Sequence, residues 1–220
     1  MVSGGERVTP LRSARLEGMS WLTHGFGTRH KEAWTPPEKT ARLRQVHGSE
    51  VVSVRIPGDH GEGDALITST PGLWLEVRTA DCVPLLLADP ERRIVAAVHA
   101  GWRGTAAGIS RITVETLCLR WGCDPVDILV AIGPCIASCC FEVGEDVAAQ
   151  FPAHITRWEP KPHVDLVDAN RQQLIAAGVP AAGIETLGLC TVCDPGAFHS
   201  FRRDRGPGRM VAAIQIRDWD

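Results

Sequence analysis

The sequence has no tyrosine, no long apolar run and no large excess of charge of either sign. Its apolar stretches, such as Ile128–Ile132, are far too short to cross a bilayer as a helix. A formal net charge of −3 gives no electrostatic reason to expect nucleic acid or an anionic membrane as a partner. The N-terminal stretch also lacks the apolar core of a signal peptide. We therefore expect a cytoplasmic protein with neither of those partners.

The sequence also lacks an internal repeat, a low-complexity tract and a convincing linker. Its 220 residues are 44% hydrophobic and 22% charged, which is typical of a globular protein with a packed core. We predict one domain over residues 1–220, with residues 1–20 as a flexible start. Strand-like and helix-like patterns alternate closely, which predicts a single domain of the α/β (mixed α+β) class.

Apolar runs and alternating stretches give the expected elements. Strands are predicted at Ser49–Ile56, Leu73–Thr79, Cys82–Asp89, Ile94–Val98, Asp127–Pro134, Gly183–Leu187 and Met210–Ile216. Helices are predicted at Thr105–Arg120 and Asp165–Val179, and loops at Trp34–Lys39 and Pro57–Ala65. Pro84 places Cys82–Asp89 at an edge of the sheet or marks the start of a strand, whereas Ile94–Val98 is apolar on both faces, like a central strand.

Three residues able to bind metal lie where apolar segments end: His47, Cys82 and His99. Side chains from different strand ends can converge, and two imidazoles with one thiolate suit Zn²⁺. Three protein ligands leave a fourth position open, as in a catalytic zinc site. The ligands are far apart in the sequence, so spacing alone also allows three unrelated core residues.

The other cysteines allow two further readings. Cys190 and Cys193 form a C-x-x-C pair. Together with Cys139 and Cys140 they could form a site of four thiolates. Adjacent cysteines rarely bind one ion together, so we favour buried thiols for these four. Cys135 could be a nucleophile if its pKa were lowered, although a packed thiol is the favoured interpretation.

Arginines mark places where anions could bind. Arg103 lies in a glycine-bounded turn before a predicted helix, and Arg202 and Arg203 begin a basic run that continues to Arg209. Guanidinium groups bind phosphate in a bidentate manner. For Arg205 and Arg209 a solvated surface loop is the favoured interpretation.

A set of motifs runs along the chain in a fixed order: "RQVHG", "GDALIT", "RTADCVPLLLADP", "VAAVHAGWRGTAAGI", "IGPCIASCCFEVG", "DLVDANRQQLIAAGV" and "CTVCDPGAFHSFRRD". With them the chain resembles the laccase-domain family, also called the multicopper polyphenol oxidase or YfiH family. The resemblance covers nearly the whole chain from His24 onwards. It implies a YfiH-like fold, a single-domain layered sandwich with mixed β-sheets.

The resemblance also implies a zinc site built from His47, Cys82 and His99. The implied activity is the phosphorolysis of adenosine, inosine, guanosine and methylthioadenosine, together with adenosine deamination. The expected partners are a small-molecule nucleoside and phosphate, and the expected state is a monomer or a small homo-oligomer.

On that footing Cys82, His47, His99 and Arg103 are the expected catalytic residues. The expected substrate-binding residues are Arg44, Gln45, Asp81, Arg202, Arg203 and His24. Asp81 is expected to orient a metal-binding imidazole. No H-x-E glutamate of the zinc deaminases is present, so the general acid or base stays unassigned.

Two departures from the family pattern concern the pocket, with Ala137 and Ser138 after "IGPCI" and Val192 between the late cysteines. The chain also has no His-x-His pair, which makes multicopper chemistry a poor prediction, although Cu²⁺ could occupy the site in vitro.

Three alternatives remain open. One is an editing hydrolase that removes a wrong amino acid from a UDP-sugar precursor of the cell wall. Another is a copper-dependent polyphenol oxidase. The third is a non-enzymatic zinc-stabilised binding protein, whose closed site would take a fourth ligand from Cys139, Cys140, Cys190 or Cys193.

Overall fold

A computed structural model describes residues 10–30, 34 and 39–218. The helices are α1 (Ala14–Glu17), α2 (Trp102–Ala106), α3 (Ile109–Trp121), α4 (Glu145–Ala148), α5 (Leu166–Ala176) and α6 (Phe201–Asp204). The strands are β1 (Leu22–Phe26), β2 (Thr40–Arg44), β3 (Val51–Ser53), β4 (Gly58–Glu62), β5 (Ala65–Thr68), β6 (Trp74–Thr79), β7 (Val83–Asp89), β8 (Ile94–Ala100), β9 (Leu129–Ile132), β10 (Ile155–Arg157), β11 (His163–Val164), β12 (Ile184–Thr186) and β13 (Met210–Ile216).

Two mixed sheets organise the fold. The five-stranded sheet has the order β1-β13-β6-β2-β4, and the six-stranded sheet has the order β12-β9-β7-β8-β5-β3. In each sheet, antiparallel pairs are extended by parallel ones, such as β2 with β6 and β5 with β3. A short antiparallel pair of β10 and β11 lies outside them.

The six-stranded sheet is the central layer, with apolar residues on both faces. In β7, Leu85 and Leu87 pack in the core shared with helices α3 and α5, whereas Leu86 packs in the core shared with the five-stranded sheet. Successive side chains of a strand point to opposite faces, so a continuous apolar run serves both cores. The result is a sandwich of sheet, sheet and helices, which confirms the predicted fold class.

The central strands follow the sequence closely. β8 is buried along its whole length, and β13 has the predicted bounds. Pro84 lies near the start of β7, and that strand pairs with both β8 and β9, so it is not an edge strand. Its carbonyl accepts a hydrogen bond from the N–H of Gly133. Proline has no N–H to return that bond, which a position near the start of a strand tolerates.

Two local predictions are wrong. The predicted helix from Thr105 is two helices, because Gly108 has a φ of +85° and interrupts it before α3. The predicted loop at Pro57–Ala65 contains β4, an exposed strand that pairs with β2. Its glycines and charged side chains show no apolar alternation from which a strand could be predicted. Hydrogen bonding to β2, rather than apolar burial, holds the strand in place.

Part of the predicted flexible start can be placed. Residues 1–9 lie outside the described residues, as do residues 35–38 of the predicted loop at Trp34–Lys39. Within residues 10–20, Ser13 and Leu16 are fully buried. Within the described parts of the chain, no helix combines the length and apolarity needed to cross a membrane.

The contact between Gly133 and Phe26 gives a test of the packing between the sheets. An added Cβ at Gly133 would lie 2.2 Å from the ring of the buried Phe26. We expect Gly133→Ala to lower the free energy of unfolding by about 1–3 kcal/mol, the usual cost of overpacking. Urea denaturation measures the change.

Gly18→Ala is the matched control. Gly18 has a φ of −65°, and its added Cβ would approach no atom closer than 3.9 Å. Its stability should stay unchanged or rise slightly. Equal unfolding midpoints for the two variants would contradict the packing described here.

Candidate metal centre and pocket

The predicted trio comes together where strands of the central sheet end. Cys82 directly precedes β7, and His99 is the second-last residue of β8. Antiparallel pairing opposes Pro84 to His99, so the start of β7 and the end of β8 share one edge. His47 enters from the loop between β2 and β3, and its ring lies 4.8 Å from the ring of His99, centroid to centroid.

The three side chains can hold a metal ion. One donor atom from each of His47, Cys82 and His99 lies within 4.8 Å of the other two. Zinc bonds of about 2.0–2.3 Å require ligand atoms to converge at this scale. In the described part of the chain, no fourth histidine, cysteine or carboxylate joins this group, so a bound ion would keep a position for another ligand.

Asp64 sets the positions of both imidazoles. Its Oδ1 lies 2.7 Å from His99 Nδ1, which leaves Nε2 of that ring for a metal. The same carboxylate accepts hydrogen bonds from the backbone N–H groups of Val46, His47 and Gly48. Asp64 is fully buried, and a buried carboxylate needs such partners.

Sequence reasoning assigned this orienting role to Asp81 and missed Asp64. Asp81 instead accepts hydrogen bonds from Thr191 Oγ1 and from the backbone N–H of Arg202, each 2.6 Å long. The available signal for Asp64 was the "GDALIT" motif, in which an acidic residue immediately precedes an apolar strand.

Glycine allows the close approach of the backbone to the trio. A Cβ at Gly101 would lie 2.7 Å from His47 Cδ2 and 3.3 Å from Cys82 Sγ. A Cβ at Gly104 would lie 2.6 Å from the carbonyl oxygen of Gly48. Both glycines of "HAGWRG" therefore let α2 pack against the loop that carries His47.

The environment of the cluster favours the thiolate form of Cys82. Burial raises the pKa of this thiol, but hydrogen bonds from His47 and His99 and their charge lower it to about 6. Burial lowers the pKa of His99, whereas hydrogen bonds with Asp64 and Cys82 raise it to about 9. The thiolate is the metal-binding form of cysteine, so Cys82 is held ready to bind at neutral pH.

Two residues here have a backbone conformation that is unusual outside glycine. His47 has a φ of +60° and Asp81 a φ of +95°. Such conformations cluster at functional sites, where the surrounding structure holds them. The bonds to Asp64 hold His47, and the bonds from Thr191 and Arg202 hold Asp81.

The trio opens into a pocket of about 550 Å³. Its aromatic lining is Trp102, Phe141 and Phe201. Its charged lining is Arg78, Asp81, Arg103, Arg202 and Arg209. Four guanidinium groups against one carboxylate make the pocket electropositive, which favours anionic ligands.

Arg103 differs from the other pocket arginines in its contacts. Its guanidinium carbon lies 4.3 Å from the centre of the Trp102 ring, and no described carboxylate or carbonyl bonds to it. Arg78 bonds to Glu76, and Arg202 and Arg209 bond to backbone carbonyls. The exposed Arg103 side chain therefore has the donor capacity that an incoming anion needs.

Four of the expected site residues outside the trio line this pocket: Gln45, Asp81, Arg103 and Arg202. The amide of Gln45 bonds to both backbone groups of Arg78, at 2.8 Å each, so it fastens the wall.

Arg44, Arg203 and His24 lie outside the pocket lining. Arg44 is exposed and pairs with Glu62, and Arg203 bonds to backbone carbonyls and to Asp204. His24 is buried and accepts a hydrogen bond from Ser13, while burial and the nearby Arg12 lower its pKa to about 4.

The five other cysteines considered in the sequence analysis divide into two kinds. Cys135 is a packed thiol whose burial raises its pKa, as the favoured interpretation stated. Cys139, Cys140, Cys190 and Cys193 form a group of their own, separate from the trio. Cys139 and Cys193 are exposed, so the interpretation of these four as buried thiols is wrong.

The layered fold and the pocket define a class of mixed-sheet proteins with a His–Cys–His group able to bind a metal. The chain belongs to the multi-copper polyphenol oxidoreductase laccase family, whose model matches residues 28–217. This confirms the resemblance seen in the motifs.

Individual relatives carry names of nucleoside enzymes. The purine nucleoside phosphorylase of Deinococcus radiodurans is 48% identical over 182 residues, which cover 80% of this chain and 70% of the relative. The adenosine deaminase RL5 of an unknown prokaryotic organism is 46% identical over 149 residues, covering 64% and 56%. The crystal structure of YlmD from Geobacillus stearothermophilus matches with a TM-score of 0.83 at 31% identity, covering 94% of each chain.

The bond between Asp64 and His99 predicts the effect of an isosteric change. Asp64→Asn places an amide N–H or a neutral oxygen against groups that now share one carboxylate. We expect metal affinity to fall roughly 10- to 100-fold, as for other residues that orient a metal-binding histidine. Competition with a fluorescent chelator measures this affinity.

Asp59→Asn is the control, because Asp59 is an exposed carboxylate on β4. It should bind metal like the unmodified protein. Unchanged affinity in Asp64→Asn would show that Asp64 does not set the geometry of the trio.

Proposed function

We propose that the chain is a zinc-dependent enzyme of purine nucleosides. It would cleave adenosine, inosine, guanosine and methylthioadenosine with phosphate, and it would deaminate adenosine. The observation that carries the proposal is the His–Cys–His group, fixed by Asp64, in an electropositive pocket with aromatic walls. The names of the relatives from Deinococcus radiodurans and the unknown prokaryote support the substrate class.

His47, Cys82 and His99 would hold the ion through two nitrogens and one sulfur. When bound, zinc supplies a Lewis acid that polarises an oxygen of water or substrate. The thiolate and imidazole donors favour zinc over hard cations such as Mg²⁺. The absence of a fourth described side chain at the trio supports a catalytic site rather than a closed one.

The protein's own residues would bind the two substrates, the nucleoside and phosphate. Trp102, Phe141 and Phe201 offer flat apolar surfaces against which a purine can stack. Arg103 would bind phosphate, because its guanidinium keeps its donors available at the pocket. Arg202 is held by the carbonyl of Glu142 and lies over the Phe141 ring, so it would add positive charge in a fixed position.

Phosphorolysis needs phosphate held close to the glycosidic carbon. Binding both reactants in one pocket would accelerate the reaction through proximity and orientation. Guanidinium groups already in place also stabilise charge that develops during bond cleavage. The same pocket would accept adenosine and water for deamination, where Arg103 has no phosphate to bind.

Multicopper oxidation is the less suitable reaction for this pocket, despite the family description. A single blue-copper site also uses two histidines and one cysteine, but a multicopper oxidase needs further copper ions, which additional imidazoles bind. Of the two groups of potential metal ligands in the described residues, the trio has two histidines and the other has none. We therefore assign Cu²⁺ only as an ion that could replace zinc in vitro.

The trio is tested through its sulfur ligand. Cys82→Ser should lower turnover of inosine with phosphate, and of adenosine alone, at least about 100-fold, because the ion contributes several kcal/mol to both reactions. The measurement is nucleoside turnover together with zinc content per chain. Cys118→Ser is the matched control, since Cys118 is a half-buried cysteine of α3 outside the pocket.

Full turnover in a Cys82→Ser protein that has lost the zinc ion of the trio would refute the assignment. Turnover of an amino-acid-bearing UDP-sugar, with none of any nucleoside, would favour the editing hydrolase instead.

The role of Arg103 predicts a difference between the two reactions. Arg103→Ala removes a charge-assisted hydrogen bond, which contributes about 1.5–3 kcal/mol. We expect the KM for phosphate to rise roughly 10- to 100-fold, with adenosine deamination nearly unchanged. Steady-state kinetics with varied phosphate measures the first effect, and an ammonia assay measures the second.

Arg44→Ala is the control, because this arginine is exposed and pairs with Glu62 outside the pocket. An equal loss in both reactions of Arg103→Ala would assign Arg103 to general pocket structure rather than to phosphate.

A further inference from the structure

A second group of potential metal ligands lies apart from the trio. Cys139 and Cys140 lie in a turn after β9, and Cys190 and Cys193 lie in the loop between β12 and α6. All four sulfur atoms lie within 4.8 Å of one another. Two loops that are distant in the sequence therefore present four thiols to one point.

The distances between the sulfur atoms match a single tetrahedral ion. Cys139 Sγ lies 3.6, 3.8 and 3.7 Å from the sulfurs of Cys140, Cys190 and Cys193, and Cys140 Sγ lies 3.4 Å from that of Cys193. With zinc–sulfur bonds of about 2.3 Å, sulfurs at the corners of a tetrahedron lie about 3.8 Å apart.

The same distances exclude disulfides in this structure. A disulfide joins its sulfurs at about 2.05 Å, and here the sulfurs do not divide into two close pairs. A cluster of several irons would also hold its cysteine sulfurs farther apart, because sulfide ions lie between the irons. One ion at the centre accounts for all the contacts together.

Backbone N–H groups surround the sulfur atom of Cys190. The N–H of Ala137 donates a hydrogen bond to Cys190 Sγ, at 3.5 Å. The N–H groups of Val192 and Cys193 also bond to this sulfur. Ligands of structural metals commonly accept such hydrogen bonds from their surroundings.

Arginines hold the two loops without occupying the sulfurs. Arg202 donates to the carbonyl of Cys140, and Arg203 donates to the carbonyls of Thr191 and Val192. These bonds fix the backbone around the cysteines. Both guanidinium groups bond to backbone carbonyls rather than to the sulfur atoms. A metal cation among the sulfurs would balance the negative charge of the thiolates.

We propose that Cys139, Cys140, Cys190 and Cys193 bind a zinc ion in a closed tetrathiolate site. Binding replaces the thiol protons, which pass to solvent, by four zinc–sulfur bonds, with no change of oxidation state. Four protein ligands leave no position for substrate, so the site is structural. It joins the turn after β9 to the loop before α6, and both segments reach the wall of the pocket through Phe141 and Arg202.

The number and type of zinc ligands test this site separately from the trio. In a His47→Ala/Cys82→Ala variant purified without chelator, metal analysis should find one zinc per chain. X-ray absorption should find four sulfur neighbours at about 2.3 Å. In the unmodified protein, two zinc ions per chain are expected if both sites are filled.

Cys139→Ser/Cys193→Ser should lose this zinc, whereas Cys118→Ser, the matched control, should keep it. A trio-deficient protein without zinc would overturn the proposal. Iron in place of zinc would overturn the choice of metal, and mass spectrometry showing disulfides among the four cysteines would overturn the site. Should the trio-deficient variant not fold, four-sulfur zinc in Cys82→Ser decides for the site and its absence decides against it.

Discussion

The buried carboxylate of Asp64 is the contact on which the pocket depends. It binds the ring of His99, which belongs to the central sheet, and the backbone of the loop that carries His47. A buried charge without such partners would be strongly unfavourable, so folding of the loop and placement of the ring are energetically linked. One side chain thus sets the separation of two imidazoles that come from different parts of the fold.

Much of the fold could be predicted from the sequence, because apolar periodicity reports burial directly. β8 and β13 lie in the core and appear where their apolar runs predict them. β4 carries no such pattern, since it is exposed and held by backbone hydrogen bonds to β2. The interruption of a helix at Gly108 could not be predicted either, because glycine in a helical pattern does not by itself reveal a positive φ.

The potential metal ligands of the site could be predicted from the sequence, but the residue that orients them could not. His47, Cys82 and His99 stand out by residue type at strand ends, and the motifs agree. Asp64 acts through three-dimensional proximity, and no spacing rule separates its role from that of Asp81. The four cysteines were misjudged for a related reason: a tight turn brings Cys139 and its neighbour to one point, which a rule about adjacent residues does not foresee.

Asp81 connects the four-cysteine group with the trio of His47, Cys82 and His99. Thr191 lies between Cys190 and Cys193, and its hydroxyl binds the carboxylate of Asp81, the residue immediately before Cys82. Asp81 has a φ of +95°, a conformation that costs free energy and persists only when its surroundings hold it. A rigid loop around Thr191 therefore favours the backbone position that directs Cys82 towards the two imidazoles. A closed site in that loop would act on the open one through this chain of contacts, by restricting the motion of a pocket wall rather than by touching substrate.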